Sequence, residues 1–371
     1  MRICHFSDSH LGAGHDYPRR GNSGLTLREE DIIGSFIEAV DLVIAARPDI
    51  CIHSGDLFHT VRPSNRIMAI AGQQLNRLAA ENAIPTVIIA GNHDAPKQPH
   101  IGAALDVYEH IKNLHVAAGG RLRIFDVNKT KLFALPHALT TSVLKEELTK
   151  CKPDPRANFN ILVMHGVAAG MPEFSMADLG EQELPTEMMD RFDYTALGHY
   201  HNHRRVAKHA FYAGSTERLS QAERDEQKGI VVVELEPFQI EFQPVSCRAM
   251  VSIAPINAAG KRGDELAEMI QKKVEQVGTS DKIIRVKVEG ISEETLKTIP
   301  VDVISLLKQN SFMLDITFEK EKTAENEAGF GRTAIGKLDS GFIQFLETVN
   351  LAGFDRERLK TEALKYLAEE N

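Results

Sequence analysis

The sequence predicts a layered α/β fold, and three observations predict it. Short apolar runs recur between Arg2 and His201, each closed by a polar tip of Gly, Asn, Asp or His. Amphipathic helical stretches separate the earlier runs, and beyond Arg121 the runs crowd together. A continuous apolar run bounded by turn residues reads as a strand covered on both faces. Strand–helix–strand alternation reads as βαβ units with a largely parallel sheet, and the crowded runs read as a second sheet facing the first.

The elements follow in order. RICHFSDSH (2–10) is a strand tipped with Asp8 and His10. Thr26 and Glu29 form a capping box opening a helix whose stripe includes Ile33, Phe36, Ile37, Val40 and Ile44. DICIHSGD (49–56) ends in Asp56, and a helix is expected over 64–81. TVIIAGNHD (86–94) is the central strand: Gly91 lets the backbone leave it, setting Asn92 and His93 at the carboxyl end where open α/β sheets hold ligands. A helix over 101–111 follows. NILVMHG is tipped by His165 and YTALGHYH by His199 and His201, and LRIFDV, KLFALP, FYAGS, GIVVVELE and IEFQPV (240–245) are assigned to the second sheet.

Composition shifts near Cys247. MVSIAPIN, a helix over 264–277, KIIRVKVEG, a helix through 304–307 and MLDITFEK make a compact β-α-β-α-β unit. A polar, Gly-rich linker over 319–336 precedes two amphipathic stretches carrying Leu338, Phe342, Phe345, Leu346 and Val349, then Leu359, Ala363, Tyr366 and Leu367. Three segments are therefore expected: 1–245, 246–322 and 323–371.

Composition bounds the function. No apolar run is long enough to span a membrane. MRICHFSD enters a strand directly, so no signal segment is expected, and four scattered cysteines read as reduced thiols of a cytoplasmic protein. The net charge of −9 argues against sequence-independent nucleic-acid binding by the whole surface. It leaves room for a nuclease, because divalent cations in a cleft reverse the local sign. All 15 histidines lie between His5 and His209, which confines metal chemistry to the N-terminal segment.

One Gly-Asn-Asp tip is ordinary turn chemistry. Five tips bearing Asp8, His10, Asp56, Asn92, His93, His165, His199 and His201 supply enough N and O ligands for two metal ions sharing one carboxylate.

DSH, GD, GNHD, a lone His after a strand, and GHxH, in that order, resemble the calcineurin-like metallophosphoesterases. The run SGDLFHTVRPSN (54–65) and the long segment beyond the motifs narrow the resemblance to the SbcD nucleases and their archaeal and eukaryotic counterpart, the meiotic recombination eleven nuclease. The resemblance implies a four-layer α-β-β-α sandwich, a capping domain that helps select DNA shape, and a C-terminal helix-loop-helix gripping an SbcC-type ABC ATPase. It also implies a homodimer. One metal would be held by Asp8, His10, Asp56 and His201, the other by Asp56, Asn92, His165 and His199, with Asp56 bridging. The donor set lacks thiolate, which suits manganese, iron or zinc better than calcium or magnesium, and the family points to manganese.

By the same resemblance His93 is the general acid or transition-state stabiliser, and His59 contacts the scissile phosphate. The implied activity is DNA exonuclease (3′–5′) and endonuclease cleavage in double-strand-break repair. The rival is a phosphodiesterase of the same superfamily acting on cyclic nucleotides or small phosphate esters, which would need neither cap nor tail. A non-catalytic scaffold is the third reading, and the intact ligand set speaks against it.

His5, His53, His100, His110, His115, His137 and His209 read as structural. His15, Arg19, Arg20, His203, Arg204 and Arg205 read equally as phosphate contacts or solvated charge. Gly331–Lys337 fits GxxxxGK, but Leu338 replaces the Ser or Thr that a phosphate loop needs and no strand precedes it. Ala213 stands where the family carries proline before Gly-Ser, and it touches no expected ligand.

Overall fold

A computed structural model describes residues 1–96, 98, 100–170, 182–279, 281–321, 346 and 356–361. The tail stretches at 338–349 and 363–367, apart from Leu346, and the 331–337 motif lie outside the described residues. Two compact units are present: Met1–Ser252 with Val277–Arg285 and Asn310–Met313, and Ile253–Gln276 with Val286–Gln309 and Leu314–Asn371.

In chain order, the first unit opens with β1 (Arg2–Phe6), α1 (Leu27–Ala46), β2 (Ile50–His53), α2 (Asn65–Asn76), β3 (Thr86–Ile89) and β4 (Leu114–Ala117). β5 (Arg123–Val127), β6 (Thr130–Leu135), α3 (Thr141–Leu148) and β7 (Phe159–His165) follow, then the short β8 (Val167–Ala168) and β9 (Glu183–Leu184). β10 (Tyr194–Gly198), β11 (Arg204–Ala207), β12 (Ala210–Tyr212), β13 (Gly229–Leu235) and β14 (Phe238–Pro244) complete the run.

Two six-stranded sheets result, ordered β14-β13-β1-β2-β3-β4 and β11-β12-β10-β7-β6-β5. β1 to β4 pair in parallel, as do β6, β7, β10 and β12. Alternation sorts the side chains into layers. Ile3, Ile50, Ile52, Val87 and Ile89 meet Leu132, Ile161, Val163 and Ala196 between the sheets. Cys4, Phe6, Cys51 and Ile88 turn outward against Phe36 and Val40 of α1 and Ile67, Ala71 and Leu75 of α2. Leu162, Met164 and Leu197 turn the other way, against Leu144 of α3 and Met189. The order α-β-β-α is the expected sandwich.

The first unit departs from the sequence reading in several features. β13 and β14 belong to the first sheet, where β13 runs antiparallel to β1 in the register Ile3↔Val233. β13 buries both its faces, Val231 and Val233 between the sheets and Ile230 and Val232 beneath the helices. The place beside β1 covers both, and an apolar run carries no mark of which sheet it joins. The stretch 101–111 forms only a 3₁₀ turn at Ala104–Tyr108, whose buried residues Leu105 and Tyr108 lie three positions apart, the 3₁₀ period. The helix over 64–81 ends in a π turn at Arg77–Glu81. Arg204 and Arg205, read as phosphate contacts or solvated charge, lie in the edge strand β11.

Beyond β14 come β15 (Met250–Asn257), α4 (Gly263–Val277), β16 (Ile283–Ile291), α5 (Glu293–Thr298), α6 (Val301–Asn310) and β17 (Met313–Lys320), with β16 central in a three-stranded sheet. α4 buries Leu266, Ala267, Ile270 and Val274, one face of a 3.6-residue period. Two helices stand where one was expected between β16 and β17, because Pro300 ends α5 and starts α6 afresh.

Candidate metal centre

The five polar tips converge because their strands are parallel within each sheet. β1, β2 and β3 deliver Asp8, Asp56 and Asn92 at one sheet's carboxyl edge. β7 and β10, paired with Gly198 opposite His165, deliver His165 and His199 from the other. The loops are knitted by Asp8 N–H to Gly55 O (3.0 Å) and His10 N–H to Asp56 O (3.0 Å). Asp8, His10, Asp56 and His199 all have positive φ, at 52°, 44°, 54° and 108°. Such backbone angles are costly for residues other than glycine and cluster where function over-determines the conformation. A Cβ at Gly91 would collide with Asp56 Oδ1, so that position admits only glycine.

Asp56 stands at the middle. Its Oδ2 is 3.3 Å from His165 Nε2 and 3.6 Å from His10 Nε2, while Oδ1 accepts the His93 backbone N–H at 2.9 Å. On one side, Asp8, His10 and His201 bring ligand atoms within 4.8 Å of one another, and His10 Nε2 lies 3.2 Å from His201 Nε2. On the other, Asn92 Oδ1 is 2.9 Å from His165 Nε2 and 3.0 Å from His199 Nδ1. All seven expected ligands are thus brought together.

The donor set fits a pair of cations. His165 Nδ1–H donates to Ser54 O at 2.9 Å, which turns Nε2 toward Asp56 and Asn92. Two carboxylates, an amide oxygen and several imidazole nitrogens converge on one small volume, a donor set that suits a cation. Electrostatics agree. Burial holds His10 well below its ordinary value and His199 down to about 3, leaving both neutral and able to coordinate. Burial would raise Asp56, but His165 and His10 outweigh it and keep the carboxylate ionised. Burial lowers His165, yet the Asp56 charge lifts it to about 9, so an incoming cation displaces a proton there. Burial raises Asp8, against the opposing pull of His165 and His201.

His93 and His59 lie beside this set. His93 Nδ1–H donates to the His59 carbonyl at 3.0 Å, and the two rings stack with centroids 5.3 Å apart. Both reach His10, whose Nδ1 is 3.3 Å from His59 Nδ1 and whose ring centroid is 4.7 Å from that of His93. The two are half-buried. His5 and His53 behave as structural residues: His5 bridges Tyr194 Oη (2.9 Å) and Ser54 Oγ (2.8 Å), and His53 meets Ser9 Oγ (3.1 Å). His203 donates from Nδ1 to Tyr212 O at 3.0 Å and stacks on Phe242, a packed role for one residue of the basic cluster.

Three residues escaped the sequence reading. Asp94 accepts the backbone N–H groups of Gly91 (2.7 Å), Leu57 (2.8 Å) and Phe58 (3.3 Å), tying the Asn92 loop to the Asp56 loop. Burial and the nearby Asp56 charge push its carboxyl up to about 8. Its place at the end of GNHD was the available signal. Glu223 lies 3.3 Å from His201 Nδ1 and is itself gripped by the buried Lys228 at 2.8 Å. Burial would raise Glu223, yet His201 and Lys228 hold it down to about 2. Neither residue sits in a recognisable motif. His137, set aside as structural, is a nearer neighbour than its sequence position suggests: its backbone N–H donates to Ala90 O at 2.9 Å, at the end of β3.

Residues 1–209 match the family described as calcineurin-like phosphoesterase. The chain is similar to the DNA double-strand break repair protein Mre11 of Sulfolobus acidocaldarius, 29% identical over 78% of this chain and 75% of that one. The Sulfurisphaera tokodaii protein of the same name is 26% identical over 100% and 98%, and that of Methanococcus maripaludis 33% over 62% and 60%. The matched span takes in every loop that meets at Asp56, and with these five loops arranged on two facing sheets the chain belongs to the calcineurin-like phosphoesterase family.

Proposed function

We propose that this chain is a two-metal DNA nuclease acting in double-strand-break repair. The observation that carries the reading is Asp56, whose Oδ2 faces a histidine of each ligand group, 3.6 Å from His10 and 3.3 Å from His165. Asp8, His10, Asp56 and His201 hold one cation, and Asp56, Asn92, His165 and His199 the other. The nitrogen and oxygen donor set without thiolate suits manganese, iron or zinc, and the resemblance to the SbcD nucleases makes manganese the expected ion. When bound, such a pair would supply Lewis-acid polarisation of a phosphate and activation of water. The residues of the chain supply the rest. His93 donates from Nδ1–H to His59 O, which orients the ring so that Nε2, when it carries a proton, gives that proton to the leaving oxygen as general acid, and His59 steadies the scissile phosphate.

DNA as substrate is supported by the similar proteins, named for double-strand break repair, and by their coverage of the chain beyond the phosphoesterase segment. In this reading 1–245 is the nuclease domain, 246–322 a cap that selects DNA shape, and 323–371 the element that docks on an SbcC-type ATPase. The nuclease works as a homodimer with 3′–5′ exonuclease and endonuclease activity. The test compares turnover of duplex ends, hairpins and single strands with that of an aryl phosphodiester, with and without Mn²⁺. Mn²⁺-dependent cleavage of DNA is expected. Turnover of the small diester with none of DNA would instead mark an enzyme for small phosphate esters. For the tail, a chain ending at Thr323 is expected to keep metal and basal cleavage but lose co-purification with the ATPase. Retained binding at full affinity would move the docking surface elsewhere.

A further inference from the structure

Lys228 is the most deeply buried cation of the described residues, its side chain wholly out of solvent. An ammonium has three hydrogens, and three acceptors surround this one: Glu223 Oε2 at 2.8 Å, the His201 carbonyl at 2.8 Å and Glu226 Oε2 at 3.0 Å. The other oxygen of Glu223 faces His201 Nδ1 at 3.3 Å and accepts from Ser220 Oγ at 3.0 Å. Leu219 N–H adds a bond to Oε2 at 3.3 Å. His201 is therefore held twice, its main chain directly by Lys228 and its ring through Glu223. With Nδ1–H turned to Glu223, Nε2 keeps a lone pair aimed toward His10 Nε2, 3.2 Å away, and the Asp8 group.

We propose that Glu223, locked in place by Lys228, is a positioning residue for His201: it fixes the ring's tautomer and orientation and so sets the affinity of one of the two metal sites. The inference rests on the metal-centre reading above. A carboxylate behind a coordinating imidazole raises the basicity of the ligand nitrogen, and losing such a partner weakens metal binding about 10–100-fold. Only the cation shared by Asp8, His10, Asp56 and His201 feels this, because the other group has its own anchor, the Ser54 carbonyl on His165.

The test is calorimetric titration of the metal-stripped full chain with Mn²⁺, held well below each variant's melting temperature. Wild type is expected to bind two equivalents. In Glu223→Ala one equivalent should weaken about 10–100-fold while the other stays at the wild-type value. In Glu223→Gln, whose amide oxygen still accepts from Nδ1–H, the same equivalent should weaken only several-fold. Unchanged affinities in both variants, or equal weakening of both equivalents, would overturn the proposal while leaving the metal centre standing. A wild-type chain without two equivalents would overturn the metal-centre reading together with it. Should Glu223→Ala fail to fold, Glu223→Gln decides alone, and two wild-type affinities there would overturn the positioning role.

Discussion

Asp8, His10, Asp56 and His199 accept left-handed backbone angles that their side chains disfavour, and every one of them faces the same small volume. The strain is held by contacts that depend on backbone more than side chain. His93, for instance, reaches Asp56 through its main-chain N–H at 2.9 Å. His93→Ala therefore keeps that bond and removes only the ring. We expect cleavage to fall by about 10²–10⁴ with both metals still bound, as metal analysis of the purified variant would show. Loss of one metal equivalent would make His93 a ligand instead. Asp56 behaves oppositely. Its Oδ2 faces both groups, so Asp56→Asn is expected to weaken both sites, whereas His10→Ala should weaken chiefly one. Two tightly held metals in Asp56→Asn would place the bridge elsewhere.

Elements show how far local rules carry. α1 was legible from Thr26 and Glu29, and both halves of the capping box form: Glu29 N–H to Thr26 Oγ1 at 3.0 Å and Thr26 N–H to Glu29 Oε2 at 2.8 Å. Thr26 also donates to Gly14 O at 2.7 Å, fastening the loop after His10 to the helix start. Thr26→Ala should cost about 1–2 kcal/mol of stability, read from the denaturant midpoint, and an unchanged midpoint would mean that the cap carries no net energy here. The ligand tips were equally legible, since each is a strand end and its turn. What local rules missed was long-range. β13 reads as a buried strand from its apolar run, but its choice of sheet is made by β1, more than 220 residues earlier in the chain. The 3₁₀ turn at Ala104–Tyr108 differs from a helix only in whether buried residues recur every three positions or every 3.6, too fine a distinction over one short stretch. Glu223 and Lys228 meet His201 by tertiary folding alone, and nothing in their own neighbourhood announces it.

At the scale of the whole molecule, the question is how a chain of net charge −9 handles a polyanion. A protein that binds duplex DNA by its surface spreads Lys and Arg over many phosphates and loses affinity steeply with salt. Here several arginines are committed to carboxylates of the protein itself: Arg248 to Asp31 at 2.6 Å, Arg123 to Glu109 at 2.6 Å and Arg121 to Glu147 at 2.8 Å. The metal centre, once loaded, would be a concentrated source of positive field for a phosphate. Two divalent ions there would more than offset the charges of Asp8 and Asp56, and a bound ion is commonly the largest charge in its site. Attraction to DNA should accordingly depend on the metals, and not only the chemistry that follows. The cleavage-impaired His93→Ala variant separates the two. Its affinity for a duplex end, measured by fluorescence anisotropy, is expected to fall at least about tenfold when Mn²⁺ is replaced by a chelator. Its dependence on salt should be shallower than that of a protein contacting six to ten phosphates. Equal affinity with and without Mn²⁺ would mean that positive surface elsewhere in the chain recruits the DNA, and the metals would then act on a strand already bound.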